Sequence, residues 1–361
     1  MMENLTSVPG RRCACLAIRL SVPIPPSSAT TSSVLSWNDC NFAADARFHD
    51  CGGRAAVPDI VGNTHKRVGN RMRTLKDKVV FITGAGSGFG RCLALQVAKL
   101  HGIPVLADID ADGLAETVRQ LQLVDARYGS HVLDIRSRQA WEAVAAATEK
   151  EFGGIDVLIN NAGVLSRTES FLELSEEHCR FLMEVNFWGM FYGTRTMIPY
   201  LAKRPEGHLV NTASSLALIG SPMHSVYCAS KAAVANFTAV VREELYGTRI
   251  GVTTVFPGAS RTNLGRNVPA DSAEIHEANV KNFDKFASTL PDAVAAKIVA
   301  AILNYRTKVV TGMDGLAMSF FNRAAPRTGH WLLGAAYRKI GDPKLYARLA
   351  ELRLGSVRVT P

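Results

Sequence analysis

The chain has 361 residues, a formal net charge of +9 and 47% hydrophobic residues. That length suits one large α/β domain with extensions, or two domains. No apolar run reaches the ~18 residues of a membrane-spanning helix. The positive charge is spread out, with no dense basic run interleaved with aromatics, which argues against nucleic-acid binding.

Residues 1–71 differ from the rest. They are rich in Ser, Thr, Pro and Gly (SVPIPPSSATTSS), lack a period of 3.6 or 2, and carry eight Arg and Lys against five acids. The reading favours a disordered extension, or an upstream stretch ahead of a working start at Met72. A targeting segment is the lesser alternative. Four of the seven cysteines (Cys13, Cys15, Cys40, Cys51) lie in this tail, and Cys92, Cys179 and Cys228 stand singly. No paired ligand spacing points to a metal, and the body reads as a reduced, cytoplasmic domain.

Periodic sequence begins at Met72. KVVFITG is a short β-branched run followed by the helical stretch GRCLALQVAKLHG, and IPVLAD is followed by DGLAETVRQLQ. HVLDI precedes RQAWEAVAAATEKEFG, and IDVLINNAG precedes one long helical stretch, EHCRFLMEVNFWGMFYGTRTMIPYLAK. GHLVNTAS, the helix SVYCASKAAVANFTAVVREELYG, IGVTTVFPG and KVVTG complete the pattern. Buried strands alternating with helices predict a single Rossmann-type doubly wound parallel sheet of about seven strands, helices on both faces, over 72–315. Ligands of such a sheet bind at the carboxyl ends of its strands. Residues 316–361 are expected to form an amphipathic C-terminal extension.

TGAGSGFG, residues 83–90, follows the first strand and opens a helix. Gly84 permits a sharp turn, Gly88 a close approach of backbone to a pyrophosphate, and Gly90 close packing of helix on sheet. Thr83, Gly84, Ser87, Gly88, Phe89 and Gly90 are therefore the expected phosphate cradle at a helix N-terminus. Asp108 ends the second strand, where a carboxylate accepts hydrogen bonds from ribose hydroxyls and repels a 2′-phosphate. Ser87 stands where a basic residue would welcome that phosphate, so NAD is favoured over NADP. Arg91 is assigned no phosphate role.

Tyr227 and Lys231, at i and i+4 on a helix, share a face. Alone, such a pair is ordinary solvated surface. With the other motifs, the chain resembles the short-chain dehydrogenase/reductase family over about 76–312. Asn160, Asn161, Ala162 and Gly163 resemble the family's NNAG motif, and Asp134 with Ile135 its adenine-side segment. Asn186 resembles the helix asparagine of the catalytic tetrad. Pro257 and Gly258 with Thr262 resemble the segment beside the nicotinamide amide. The family's serine lies thirteen residues before the tyrosine, which selects Ser214 over Ser215. Ala217 departs from the glycine common in relatives three residues past that serine.

The resemblance implies an oxidoreductase moving a hydride between NAD and an alcohol or ketone. Tyr227 would act as acid and base, with its pKa lowered by Lys231 and by the nicotinamide. Ser214 would donate to the substrate oxygen, Lys231 would hold the ribose, and Asn186 would tie a water to Lys231. An NADP-dependent carbonyl reductase and a dinucleotide-sensing binding protein are the alternatives. Trp188, Met223 and His224 are candidate pocket residues, with a flap over 259–290 carrying Phe283 and Phe286. The C-terminal patches (Met318, Phe320, Phe321, Trp331, Leu332, Leu333) flanked by Arg323, Arg327, Arg338 and Lys339 can close over the pocket, pack on a partner subunit or lie on a membrane. Each use implies an apolar setting, hence a steroid-, retinoid- or lipid-like alcohol or ketone. By the same resemblance a homo-oligomer is expected, built on the helices around 184–201 and 229–246.

Overall fold

The computed structural model describes residues 72–266 and 289–340, with residues 268, 277, 280 and 287 between them. The tail before Met72, Phe283 and Phe286 of the flap, and the side chains of Arg338 and Lys339 lie outside the described residues.

Seven strands form one wholly parallel sheet in the order β3-β2-β1-β4-β5-β6-β7. They are β1 Val79–Thr83, β2 Ile103–Asp108, β3 Gly129–Val132, β4 Val157–Asn160, β5 Gly207–Thr212, β6 Ile250–Pro257 and β7 Lys308–Thr311. Helices α1 Gly88–Lys99, α2 Ala111–Gln122 and α3 Arg138–Phe152 follow the first three strands. Side chains of Asp110 and Ser137 cap α2 and α3 by accepting from Gly113 and Ala140 N–H, and Gly153 ends α3 at φ 75°. Then come α4 Glu176–Met183, α5 Met190–Ala202, α6 Ser225–Glu244, the short α7 Asn263–Arg266, α8 Pro291–Leu303, α9 Met313–Ala324 and α10 Pro326–Ile340.

Strand alternation sorts the core into two layers. Val80 and Ile82 of β1 point to the α1 and α8 side, packing with Leu93, Val97, Ile298 and Ile302. Val79 and Phe81 point the other way, to Trp141 of α3, Met197 and Leu201 of α5 and Val241 of α6. This period of two, with both faces covered, explains why the strands read as near-continuous apolar runs.

Two boundaries differ from the sequence pattern. The single long helix expected over residues 177–203 is interrupted by a π-helical turn, Glu184–Gly189, between α4 and α5. Such a turn replaces i→i+4 bonds by i→i+5 bonds over a few residues, too short a change to stand out within a long apolar helical stretch. The extension expected from residue 316 begins inside α9, whose first turn, as shown below, supports a loop of the body.

The order of the strands reverses between β1 and β4, which are neighbours although β2 and β3 intervene in sequence. Loops leaving β1 and β4 diverge there, opening a crevice at the carboxyl ends of the strands.

Candidate active site

The crevice is built from the turn after β1. Gly84 (φ +67°) and Gly88 (φ +50°) sit in the left-handed region, which strains any other residue. A β-carbon at Gly84 would lie 2.9 Å from Ala162 Cα, and one at Gly90 would overlap the Gly84 carbonyl. The glycine loop is thus pressed against both its own helix and the turn after β4, leaving the N-terminus of α1 for an anion. Gly88 faces Thr262, whose Cβ would be 3.3 Å from an added β-carbon.

Thr83 ties this loop to the segment after β4. Its hydroxyl accepts from Asn161 N–H (2.9 Å) and Ala162 N–H (3.0 Å) and donates to Ile159 O (3.4 Å). Asn161 Nδ2 returns a bond to Thr83 O at 2.9 Å. Gly163 comes next. A β-carbon there would be 3.0 Å from both Asn186 Oδ1 and Lys231 Nζ, so this turn lies under the pair.

Asp108 stands at the end of β2 beside the glycine loop. Its Oδ2 accepts from Gly86 N–H (2.8 Å) and its Oδ1 from Asp110 N–H (3.1 Å), which fixes a carboxylate at the crevice edge. Arg91 spends its guanidinium on Gly86 O, Gly113 O and Thr117 Oγ1, bracing the loop against α2. Asp134 lies just past β3, paired to Arg136 (2.7 Å), whose hydrogen bonds hold its carboxyl below the usual range. Ile135 is buried against Gly189, and its carbonyl accepts from Trp141 Nε1. These groups suit a dinucleotide: a bare turn for the phosphates, a fixed carboxylate for a ribose and an adenine-side edge past β3.

The second half of the site follows β5. Ser214 caps the short 3₁₀ turn Ser215–Ala217, its Oγ accepting from Leu216 N–H at 3.2 Å. It is also hydrogen-bonded to the phenol of Tyr227. Ser215 is buried and starts that turn, so adjacent serines take different roles, and it is Ser214 that meets the tyrosine. Tyr227 and Lys231 lie one turn apart in α6, 5% and 4% exposed. Lys231 Nζ donates to Thr212 O at 3.1 Å. Asn186, in the π turn, exchanges two 2.9 Å bonds with the Val164 backbone and donates to Ser230 Oγ, which in turn donates to Tyr227 O. Ser230 was not anticipated: it couples the π turn to α6.

The electrostatics of the ligand-free site are dominated by burial. Burial pushes the Tyr227 phenol up to about 12, with the Ser214 hydrogen bond opposing. Burial also brings Lys231 down to about 8. Desolvation is the leading cause of both shifts, because each charged form must give up water. In the ligand-free protein the tyrosine is therefore a protonated acid.

Among the candidate pocket residues, Met223 (φ 69°) and His224 sit just ahead of α6. Burial lowers the His224 pKa, with a bond to Pro222 O opposing. Trp188 is not brought to this group. It is 43% exposed and packs on Phe187, Phe191 and Tyr192 at the outer surface. Asp314 is a residue the sequence pattern did not flag. Its Oδ2 accepts from Ala259 N–H at 2.7 Å, and β-carbons at Gly258 or Gly312 would overlap its carboxylate. The only sequence signal was the pair Gly312 and Gly315 on either side of it, which also reads as an ordinary turn. It holds the Pro257–Gly258 turn from the first turn of α9. Among the described residues there is no cluster that could hold a metal ion and no helix long and apolar enough to cross a membrane. Cys92, Cys179 and Cys228 are free thiols.

The family model for short chain dehydrogenases matches residues 78–273. The chain belongs to the short-chain dehydrogenase/reductase family. SadH of Mycobacterium tuberculosis, provisionally named an oxidoreductase, is 34% identical over 273 residues, covering 74% of this chain and 95% of that protein. Human estradiol 17-beta-dehydrogenase 11 is 32% identical over 196 residues, covering 54% of this chain and 65% of that one. A short chain dehydrogenase/reductase from Burkholderia phymatum, solved in complex with NAD, superposes with a TM-score of 0.61 at 26% identity, covering 80% of this chain and 98% of that one. The chain is thus an oxidoreductase of the family, built to bind a nicotinamide dinucleotide.

The buried ammonium has a stability signature. Lys231 titrates near 8 when folded and at its ordinary 10.5 when unfolded. Between these values the unfolded chain binds more protons, so stability rises with pH; below 8 the burial cost is fully present. Relative to the parent, Lys231→Met should lose about 3 kcal/mol of its advantage between about pH 7 and pH 11, measured by urea unfolding. A difference that stays flat with pH would show that Lys231 is not desolvated.

Proposed function

We propose that the protein is an NAD-dependent dehydrogenase/reductase acting on a CH–OH group, or its ketone, of an apolar substrate. The observation that carries this reading is the dry Ser214–Tyr227–Lys231 constellation at the carboxyl end of β5, facing the glycine loop across Gly163. A bound nicotinamide dinucleotide supplies the hydride donor or acceptor. The chain's own residues handle the substrate oxygen and its proton. Ser214 donates a hydrogen bond to that oxygen and steadies developing negative charge. Tyr227 gives its proton to the oxygen in reduction and takes it from the alcohol in oxidation. Lys231 holds the ribose hydroxyls and, once they and a positive ring share the site, favours the phenolate. Asn186 positions α6 through Ser230.

Three features support NAD over NADP: the fixed charge of Asp108, Ser87 in place of a basic residue, and the NAD held by the Burkholderia relative. An apolar substrate is supported by the relative named for estradiol and by Ile219, Leu218 and Met223 in the segment between Ser214 and Tyr227. Fluorescence titration of Tyr227→Phe should give parent-like NADH affinity, at least about tenfold tighter than NADPH. Its turnover of steroid or retinoid alcohols should fall by about 10²-fold or more, the scale of a lost general acid–base. Tighter NADPH binding would overturn the Asp108 reading, and undiminished turnover the role of Tyr227.

A homo-oligomer is part of the same reading. Phe187, Trp188, Phe191 and Tyr192 form an aromatic patch with Phe237 of α6 on the outer face of α5 and the π turn. Trp188 is its exposed member, and the others are half-buried beneath it; tryptophans so supported are rich in binding energy at interfaces. The parent should scatter light as a dimer or larger, and Trp188→Glu should reduce the mass to one chain. A monomeric parent would refute the interface.

A further inference from the structure

Helices α9 and α10 have an inner and an outer side of different character. The inner side is fitted to the body. Gly315 and Gly329 are buried, and a β-carbon at Gly329 would lie 2.8 Å from Phe321 Cβ and 2.9 Å from Ile219 Cδ1. Asp314 locks the first turn of α9 to Ala259. Ile219 belongs to the segment between Ser214 and Tyr227, so the arm borders the site from this side.

The outer side is apolar and uncovered. Met313, Leu316 and Phe320, spaced i, i+3, i+7, are 77%, 49% and 64% exposed. They form one stripe along α9. On α10, Trp331 and Leu332 are 64% and 42% exposed. From Gly315 to Gly341 the sequence contains no Asp or Glu, yet carries Arg323, Arg327, Arg338 and Lys339. Arg323 and Arg327 are exposed and make no ion pair among the described residues.

We propose that this face docks the protein on an anionic phospholipid bilayer, lying in the headgroup plane. Large aromatics and aliphatics beside cations are what an interfacial helix needs, and Asp314, the one acid of the two helices, is turned inward to Ala259. At 12 and 15 residues, α9 and α10 are too short to cross a bilayer but long enough to lie on one. A second copy fits this face poorly, since the chain carries +9 overall and would meet its own cations. The orientation sets the segment between Ser214 and Tyr227 close to the lipid, on the side from which an apolar substrate dissolved in it would arrive. The docking rests on the arm alone, so it can fail without touching the proposed reaction.

The test is flotation of the full chain with phosphatidylcholine vesicles, with and without phosphatidylglycerol. Binding is expected only to the anionic vesicles, weakening as salt rises. Phe320→Glu with Trp331→Glu, and separately Arg323→Glu with Arg327→Glu, should each weaken it by on the order of tenfold or more. NADH affinity should match the parent in both, showing that they fold. Absence of vesicle binding, or equal binding by the paired variants, would overturn the proposal. So would a fall in oligomeric mass in the Phe320–Trp331 variant without vesicle binding by the parent, which would assign the face to a second copy.

Discussion

The hydroxyl of Thr83 holds the two halves of the crevice in register. It accepts two backbone N–H groups from the turn after β4 and donates to Ile159 O, using its whole hydrogen-bonding capacity. Because β1 and β4 are the neighbours at which the order of the strands reverses, this one group sets the spacing between the glycine loop and Gly163. Lys231 and Asn186 rest over Gly163, and α6 then fixes Tyr227 through its own helical spacing. A valine would keep the shape of Thr83 but leave two buried N–H groups without an acceptor, a cost of about 1–3 kcal/mol each. The spacing between the glycine loop and the Tyr227–Lys231 pair therefore depends on hydrogen bonds between one side-chain hydroxyl and the backbone.

Burial then decides the chemistry of the resting site. Tyr227 and Lys231 both lose water, and their pKa values move in opposite directions, up to about 12 and down to about 8. A desolvated site makes each remaining interaction stronger, at the cost of holding charge unwillingly. The protein thus waits with a neutral phenol bonded to Ser214. The charge that would favour phenolate must arrive with what binds. The same seclusion gives the molecule's surfaces distinct characters. The crevice is lined by polar groups, the α5 and α6 face carries a half-buried aromatic cluster with Trp188 exposed, and the α9 and α10 face carries apolar groups beside cations.

Much of this was legible in the order of residues. Strands buried on both faces announce themselves as short β-branched runs, and the glycine spacing after Thr83 has few other uses. Counting back from Tyr227 selects Ser214 over Ser215, and the 3₁₀ turn Ser215–Ala217 gives the two serines different surroundings. What escaped was anything set by three-dimensional contact. The π turn at Asn186 is a short change of helical register inside a long apolar stretch. Trp188 follows Asn186 by two residues, which on this turn carries its ring to the outer surface. Asp314 supports a loop more than fifty residues upstream. The depth at which Tyr227 and Lys231 are buried, which sets their shifts in the ligand-free site, is likewise a matter of packing that the residue order does not show.

The central claim is that burial, not the lysine, governs Tyr227 until the cofactor binds. Its most direct test is a tyrosinate absorbance titration of the parent against Tyr227→Phe, with and without NAD. The account predicts a difference signal that appears only above the ordinary tyrosine pKa of about 10 in the free protein and moves to lower pH with NAD bound. A Tyr227 that ionises below about 10 without cofactor would contradict it, and would return control of the phenol to Lys231.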